Sequence, residues 1–457
     1  QEKLEENKNH LSGIIYKQFP ERIYHSKIKA THVLGYLKEV DSKMIKNMEN
    51  GNYAFGDLVG WAGVEKQYEQ VLRGQKGVSY YQVDVFGREA GKVETYEDVL
   101  SQPGLDLTTT LDINVQLLVE NMFKDKKGAV IVSKPKTGEI LSYMSSPDYS
   151  PDLFTGMVSS NEWQSIVSDP DRPLLNRVAN GMYPPGSIYK MVVAIELLEK
   201  KHIDEDWNVF CKGEYEFYDR VHKCWDKNGH GKVDVKSAIS QSCDVFFYES
   251  IQRVRLNDLE KRSKQFLHGI PTNIDLPSEM KGRVPTRNYM NKLYGRYGWS
   301  TGAMLNISIG QGEILVTPIQ MMAYTNLLAT MGSTKNLHIV SKNNLNDIVV
   351  SSISKKTWNI IHDSMFMVAN ASKGTGKLSN PNISGLKVYG KTGTAENPHG
   401  ETHAWYIGFA KDENDEMISV VVLVENGGGG GSVASPIAGK IFKEYFNDIN
   451  SKLTAAK

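Results

Sequence analysis

Cysteine is scarce: the 457-residue chain contains three, too few to staple a protein of this length into a disulfide framework. Net charge is missing as well. Lys plus Arg equals Asp plus Glu at 53 each, so no global field draws the chain to nucleic acid or to anionic lipid, and an anionic substrate has to be held by local charge. Long apolar runs are absent. The longest, Ile418 to Val424, has strand length, whereas a membrane-spanning helix needs roughly 18 to 20 apolar residues. The chain starts at Gln1 rather than Met, and we expect a signal or anchor segment to lie outside it. Phosphate loops are also excluded. Ser372-Lys373-Gly374-Thr375-Gly376-Lys377 has Ala371 and Leu378 where a P-loop needs glycine and Ser or Thr, and Gly427 to Gly431 carries no lysine. The latter reads as a turn before a C-terminal helix from about Pro436.

What is present suggests two domains. Residues 1–106 look mostly extended, with strand-like alternation from His32 to Val40, a Val, Tyr and Phe-rich stretch from Val78 to Arg88, and a short helix from Gly63 stopped by Gly74. No cluster of catalytic residue types occurs there, so this part reads as a scaffold or interaction domain. Gln102-Pro103-Gly104 marks a boundary. After it come a strand-like stretch from Leu105 to Leu111, a helix from Ile113 to Phe123 and a hairpin made of Gly128–Ser133 and Glu139–Met144, which lead into the second domain, residues 107–457. Helical patterns dominate from about 187 to 330, and strands return at Leu386 to Thr392, Ala404 to Ala410 and Ile418 to Glu425. This order describes an α+β domain whose sheet is closed by distant parts of the chain.

The chemistry centres on Tyr183-Pro184-Pro185-Gly186-Ser187-Ile188-Tyr189-Lys190, followed by an apolar helical run. The prolines and glycine make a rigid turn that puts Ser187 at the first turn of a helix, and Lys190, three residues on, lies over the same face. Alone, Ser187 reads as a helix cap and Lys190 as a solvated charge. Companions change that reading. Ser242-Cys243-Asp244 stands on a polar turn, and Gly390-Lys391-Thr392-Gly393-Thr394 follows a strand whose glycines let a substrate backbone approach. Serine-x-x-lysine, serine-x-acid and lysine-threonine-glycine in that order form a specific set.

With these motifs the chain resembles the class B penicillin-binding proteins, and Gly310-Gln311-Gly312, Thr317-Pro318-Ile319-Gln320 and His403-Ala404-Trp405-Tyr406 extend the resemblance over nearly its whole length. Ser-Cys-Asp in place of Ser-x-Asn, together with His32 to Val40, is most similar to the penicillin-binding protein 2 type of side-wall elongation. The resemblance implies an antiparallel sheet flanked by helices, behind a smaller, mainly β pedestal. It implies a D,D-transpeptidase, needing no catalytic cofactor, that cross-links peptidoglycan stem peptides and is acylated by β-lactams. Ser187 would attack the bond between the terminal D-alanines, with Lys190 as general base. A free lysine titrates at ~10.4, so burial and the charge of Lys391 are expected to bring Lys190 down. Ser242 would relay a proton and Asp244 would orient it. Lys391 and the hydroxyls of Thr392 and Thr394 would hold the terminal carboxylate beside Gly393, and the N–H groups of Ser187 and Thr394 would form the oxyanion hole. Gln311, Thr317 and Trp405 read as packing residues. Implied partners are a membrane glycan polymerase of the elongation machinery and MreC, with the protein on the periplasmic face of the inner membrane behind an N-terminal anchor helix.

The three cysteines fall in one segment with a histidine: Cys211-x12-Cys224-x5-His230-x12-Cys243. Three thiolates and an imidazole make a closed structural zinc set, with His222 as the alternative nitrogen ligand. A disulfide plus one thiol, or three buried free thiols, are the competing readings. Zinc here would tie the 211–230 segment to the second motif through Cys243. Two other functions share the serine chemistry or the fold. A β-lactamase or D,D-carboxypeptidase sends the acyl group to water, but the Glu-x-x-Leu-Asn deacylation motif is absent. A β-lactam sensor would couple the fold to a membrane signalling segment.

Overall fold

The structure, a computed structural model, describes residues 22–455 apart from 25–26, 48–52, 87–88, 156–157, 297–298, 300, 343–344 and 399. Its organising element is a five-stranded antiparallel sheet in the order Lys387–Ala395, His403–Lys411, Met417–Val424, Gly128–Ser133, Ile140–Ser146. The apolar run Met417–Val424 takes the centre, where every residue is buried, as expected of a strand covered on both faces. Alternation splits its side chains. Val421 and Leu423 join Ile131 and Ile407 against the helices Lys190–Glu199 and Pro318–Ala329. Val420 and Val422 face the other way with Val130, onto Ile437, Ile441 and Phe442 of the C-terminal helix Ser435–Ala455. Lys387–Ala395 is left at one edge, so the lysine-threonine-glycine motif borders the turn at Pro185 and Gly186 rather than another strand.

The expected hairpin forms, and Gly138 shows why its turn ends in glycine: φ is +78° and a Cβ would lie 2.4 Å from Asn336 O. The helix Ile113–Met122 begins where Asp112 accepts the N–H groups of Asn114 and Val115 at 2.9 and 3.1 Å.

Three local expectations differ. The region read as helical contains four short strands, Asn208–Cys211, Glu214–Phe217, Arg220–Lys223 and Gly231–Asp234, paired as two antiparallel ladders. Each spans four residues, too few to establish a period in sequence. Leu105 to Leu111 makes only an isolated bridge, Thr109 to Val340. His32 to Val40 is divided into a helical turn Thr31–Leu34 and a strand Leu37–Glu39 paired with Leu58–Gly60. Gly35 divides it: φ is +79° and a Cβ would sit 1.9 Å from Ala62 O, so the chain turns to admit that backbone. Within Val78 to Arg88, Tyr81–Val83 pairs with Glu89–Lys92; Gly87 and Arg88 lie outside the described residues. The N-terminal part is joined to the rest by Tyr68, whose hydroxyl donates to Asp275 Oδ2 at 2.9 Å.

Candidate active site

The nucleophile turn is set by backbone contacts. Tyr183 exchanges hydrogen bonds with Val316 at 2.9 Å, and Gly186 N–H donates to Gly310 O at 2.8 Å. Gly186 has φ +58°, and a Cβ there would lie 2.8 Å from Thr394 O. Only glycine therefore lets the Ser187 backbone lie this close to the edge strand, the approach an oxyanion hole shared by Ser187 and Thr394 requires. Ser187 sits in a 3-10 turn, Gly186–Tyr189, that runs into the helix Lys190–Glu199. Its hydroxyl is half-buried and makes no hydrogen bond to another described residue.

The three motifs meet behind this serine. Ser242 holds a left-handed backbone, φ +58°, just before the helix Asp244–Ser250. Lys190 Nζ donates to Ser242 O at 2.8 Å, to Ser242 Oγ at 3.3 Å and to Asp244 Oδ1 at 2.7 Å. Lys391 Nζ donates to Ser242 Oγ at 2.9 Å and to Thr392 O at 2.8 Å. Both amines are fully buried.

The two amines differ in their partners. Asp244 pairs with Lys190, and it is Lys391 that is pushed well below the usual lysine range, first by burial and then by the neighbouring Lys190 ammonium.

Along the edge strand, Thr394 is exposed and its hydroxyl accepts the Gly430 N–H at 3.3 Å. Thr392 is buried, its hydroxyl 2.7 Å from that of Thr375. A Cβ on Gly393 would press on Pro185 O and Ile188 at 3.1 Å, so this glycine seats the nucleophile turn against the strand. Trp405 is buried and anchors that turn through Nε1 to Pro184 O at 3.1 Å. Thr317 caps the helix Pro318–Ala329.

Three contributors escaped the sequence. Gln311, read as packing, donates to Thr394 O at 3.4 Å. Thr375 belongs to the stretch rejected as a phosphate loop, and its glycine-threonine-glycine pattern was the available signal. Trp225 left none. It acts through its backbone N–H, which donates to Asp244 Oδ2 at 3.0 Å, while its indole donates to Gln241 O at 3.0 Å.

The cysteine segment converges as well. Ligand atoms of Cys211, Cys224, His230 and Cys243 all lie within 4.8 Å of one another, and all three cysteines are free and buried. His230 Nδ1 is 3.6 Å from Cys211 Sγ and 3.5 Å from Cys224 Sγ. A tetrahedral zinc with ordinary bond lengths separates nitrogen from sulfur by about 3.6 Å, so the donor set fits that ion. The Cys243–Cys224 hydrogen bond holds the Cys224 thiol well below the ordinary thiol range and pushes Cys243 up. His222 is outside the cluster, its ring 5.4 Å from that of Tyr248.

Comparison with known proteins agrees with this geometry. Residues 128–443 match the penicillin binding protein transpeptidase domain and residues 1–109 the penicillin-binding protein dimerisation domain. The chain is 29% identical over 477 residues to the peptidoglycan D,D-transpeptidase MrdA of Escherichia coli K12, covering 97% of this chain and 73% of that one. It superposes on penicillin-binding protein 2 of Helicobacter pylori, solved in complex with MreC, with a TM-score of 0.83 and 32% identity, covering 93% and 80% of the two chains. A protein from a peptidoglycan synthase complex that coordinates polymerisation and crosslinking matches with a TM-score of 0.83 and 27% identity, over 98% and 79%. A serine, two buried lysines and an edge strand meeting in this order, within a matched transpeptidase domain that fills most of the chain, place this protein in the penicillin-binding protein transpeptidase family.

Proposed function

We propose that this protein is a serine-type peptidoglycan D,D-transpeptidase of cell-wall elongation and a target of β-lactams. The observation that carries the reading is the meeting of Lys190 and Lys391 on the hydroxyl of Ser242, beside a serine held against the edge strand. The terminal carboxylate of a stem peptide enters next to Lys391, Thr392 and Thr394 and favours the charged form of Lys391. Lys391 then takes the Ser242 proton while Ser242 takes one from Lys190. Lys190, now neutral, accepts the Ser187 proton as its oxygen bonds to the carbonyl carbon. The oxyanion is met by the N–H groups of Ser187 and Thr394. Return of the proton from Lys190 through Ser242 to the D-alanine nitrogen breaks the peptide bond and leaves the acyl-enzyme. An amine of a second stem peptide takes the acyl group.

Cys211, Cys224, His230 and Cys243 would hold a structural zinc, supplying a cross-link rather than catalysis. Trp225, next to Cys224, carries that constraint to Asp244 through its N–H. The boundary near residue 106 separates a pedestal for partners from the catalytic domain. The partners are a membrane glycan polymerase and MreC, a reading supported by the assemblies of the two similar proteins. No helix among the described residues is long and apolar enough to cross a membrane.

Labelled penicillin followed by intact-protein mass spectrometry tests the reading. We expect a long-lived adduct on Ser187 that is absent in Ser187→Ala, and cross-linked product when a stem-peptide donor and an acceptor amine are supplied. Rapid turnover of the antibiotic, with no cross-link, would point to a hydrolase.

A further inference from the structure

A cavity of about 190 Å³ opens between the N-terminal part and the catalytic domain, away from Ser187. Its walls are unlike the apolar packing around it. Three aromatic side chains, Tyr36, Trp61 and Tyr149, line it with Lys66, His32 and Asn180. The aromatic wall is stiff: Tyr36 stacks on Phe154 at 3.9 Å, and Tyr149 meets the same ring edge-on at 5.4 Å.

Two of the polar groups keep unused hydrogen-bonding capacity. His32 Nε2 is shut off from solvent and has no hydrogen-bond partner among the described residues. Burial pulls the His32 ring down to about 4, so at neutral pH it is uncharged; one ring nitrogen is hydrogen-bonded to the Pro173 backbone and Nε2 is left over. Asn180 spends an amide N–H on Ser278 O and makes no hydrogen bond through its carbonyl oxygen among the described residues. The charge has one sign. Lys66, the charged residue of the lining, places its ammonium 5.6 Å from the centre of the Trp61 ring, and no acidic side chain lines the cavity; Lys38, 4.5 Å from that ring, lies outside the lining and pairs with Asp41 at 4.0 Å.

Flat aromatic faces with a few hydrogen-bonding groups suit a ligand that is apolar on its ring faces and polar at its edge. Positive charge at the rim suits one that also carries a carboxylate. A sugar ring of the glycan strand, bearing its acidic lactyl or peptide branch, has this chemistry. We propose that the cavity is a glycan-strand subsite that takes one such acidic N-acetylated sugar. The inference rests on the peptidoglycan reading above and adds a second contact between the protein and its polymeric substrate. It also has a route to the nucleophile, because the wall at Asn180 continues directly into the Tyr183–Ser187 turn.

The test is calorimetric titration of the full chain with the stem-free disaccharide N-acetylglucosaminyl-N-acetylmuramic acid, before and after Ser187 is acylated with penicillin. We expect saturable binding in about the millimolar range, unchanged by acylation. Trp61→Ala and, independently, Lys66→Ala should each weaken it at least tenfold, with circular dichroism confirming that each variant is folded. Lys66→Ala carries the test alone if Trp61→Ala does not fold. The subsite is overturned if no saturable binding occurs, if acylation of Ser187 abolishes it, or if the folded variants bind like the parent. It is equally overturned if the cavity takes a partner peptide and not the disaccharide. Penicillin labelling of Ser187 in the parent protein reports separately on the enzymatic reading.

Discussion

Lys190 and Asp244 form a buried ion pair, Nζ to Oδ1 at 2.7 Å, and the second oxygen of that carboxylate accepts the Trp225 N–H at 3.0 Å. Both faces of the carboxylate are thus met by donors. An asparagine has only one acceptor oxygen, so the usual Ser-x-Asn of related motifs would set an amide N–H against either Lys190 or Trp225. This accounts for an acid at position 244.

Asp244→Asn should therefore cost about 1–3 kcal/mol of stability, the usual penalty for a buried donor left unmet. Asp244→Ala, which strands the Lys190 ammonium, should cost about 3–5 kcal/mol. Urea denaturation measures both, and penicillin acylation should slow at least tenfold in each. Equal stability of parent and Asn variant would show that the second acceptor is not needed.

Lys391 gives a pH signature. Its folded value is depressed by burial and by Lys190, so between that lowered value and ~10.4 the unfolded chain holds one more proton. Stability contributed by this group is full above ~10.4 and is lost as pH falls toward the folded value, by up to about 1.4 kcal/mol per pH unit. Lys391→Met removes the group, so its stability should depend less on pH across that window. Parallel curves for parent and variant would contradict the assignment.

Metal analysis should find one zinc per chain. At a free concentration a hundred times its Kd, the ion adds about 2.7 kcal/mol, so chelation should lower the unfolding temperature and added zinc should restore it. Cys211→Ser should abolish that response. A chain that contains no zinc, or a melting curve indifferent to chelator, refutes the site.

Thr375→Val leaves the buried Thr392 hydroxyl without the partner now 2.7 Å away. The loss of about 1 kcal/mol should appear as a severalfold higher KM for the stem peptide with little change in kcat, because Thr392 is proposed to hold the substrate carboxylate. Thr375→Ser should restore it. A fall confined to kcat would place Thr375 elsewhere in the mechanism.

The site was readable where its residues lie close in sequence. Ser187 and Lys190 are three apart on a turn whose prolines and glycine state its geometry, and Lys391 to Thr394 share one strand. The sheet was readable from apolar runs such as Ile418 to Val424. The strands between 208 and 234 were not, since four residues cannot display a period, and Thr375 gained its meaning only from Thr392.

By itself, then, the sequence determined which motifs are present, their order and the grouping of three cysteines with a histidine, because residue type and short spacing fix local backbone and chemistry. Tertiary structure alone decided that Lys190 pairs with Asp244, that burial depresses Lys391, and that Trp225 joins the cysteine segment to the second motif. Such energies depend on burial and on distances of a few ångströms between groups far apart in the chain, and those distances exist only once the chain has folded.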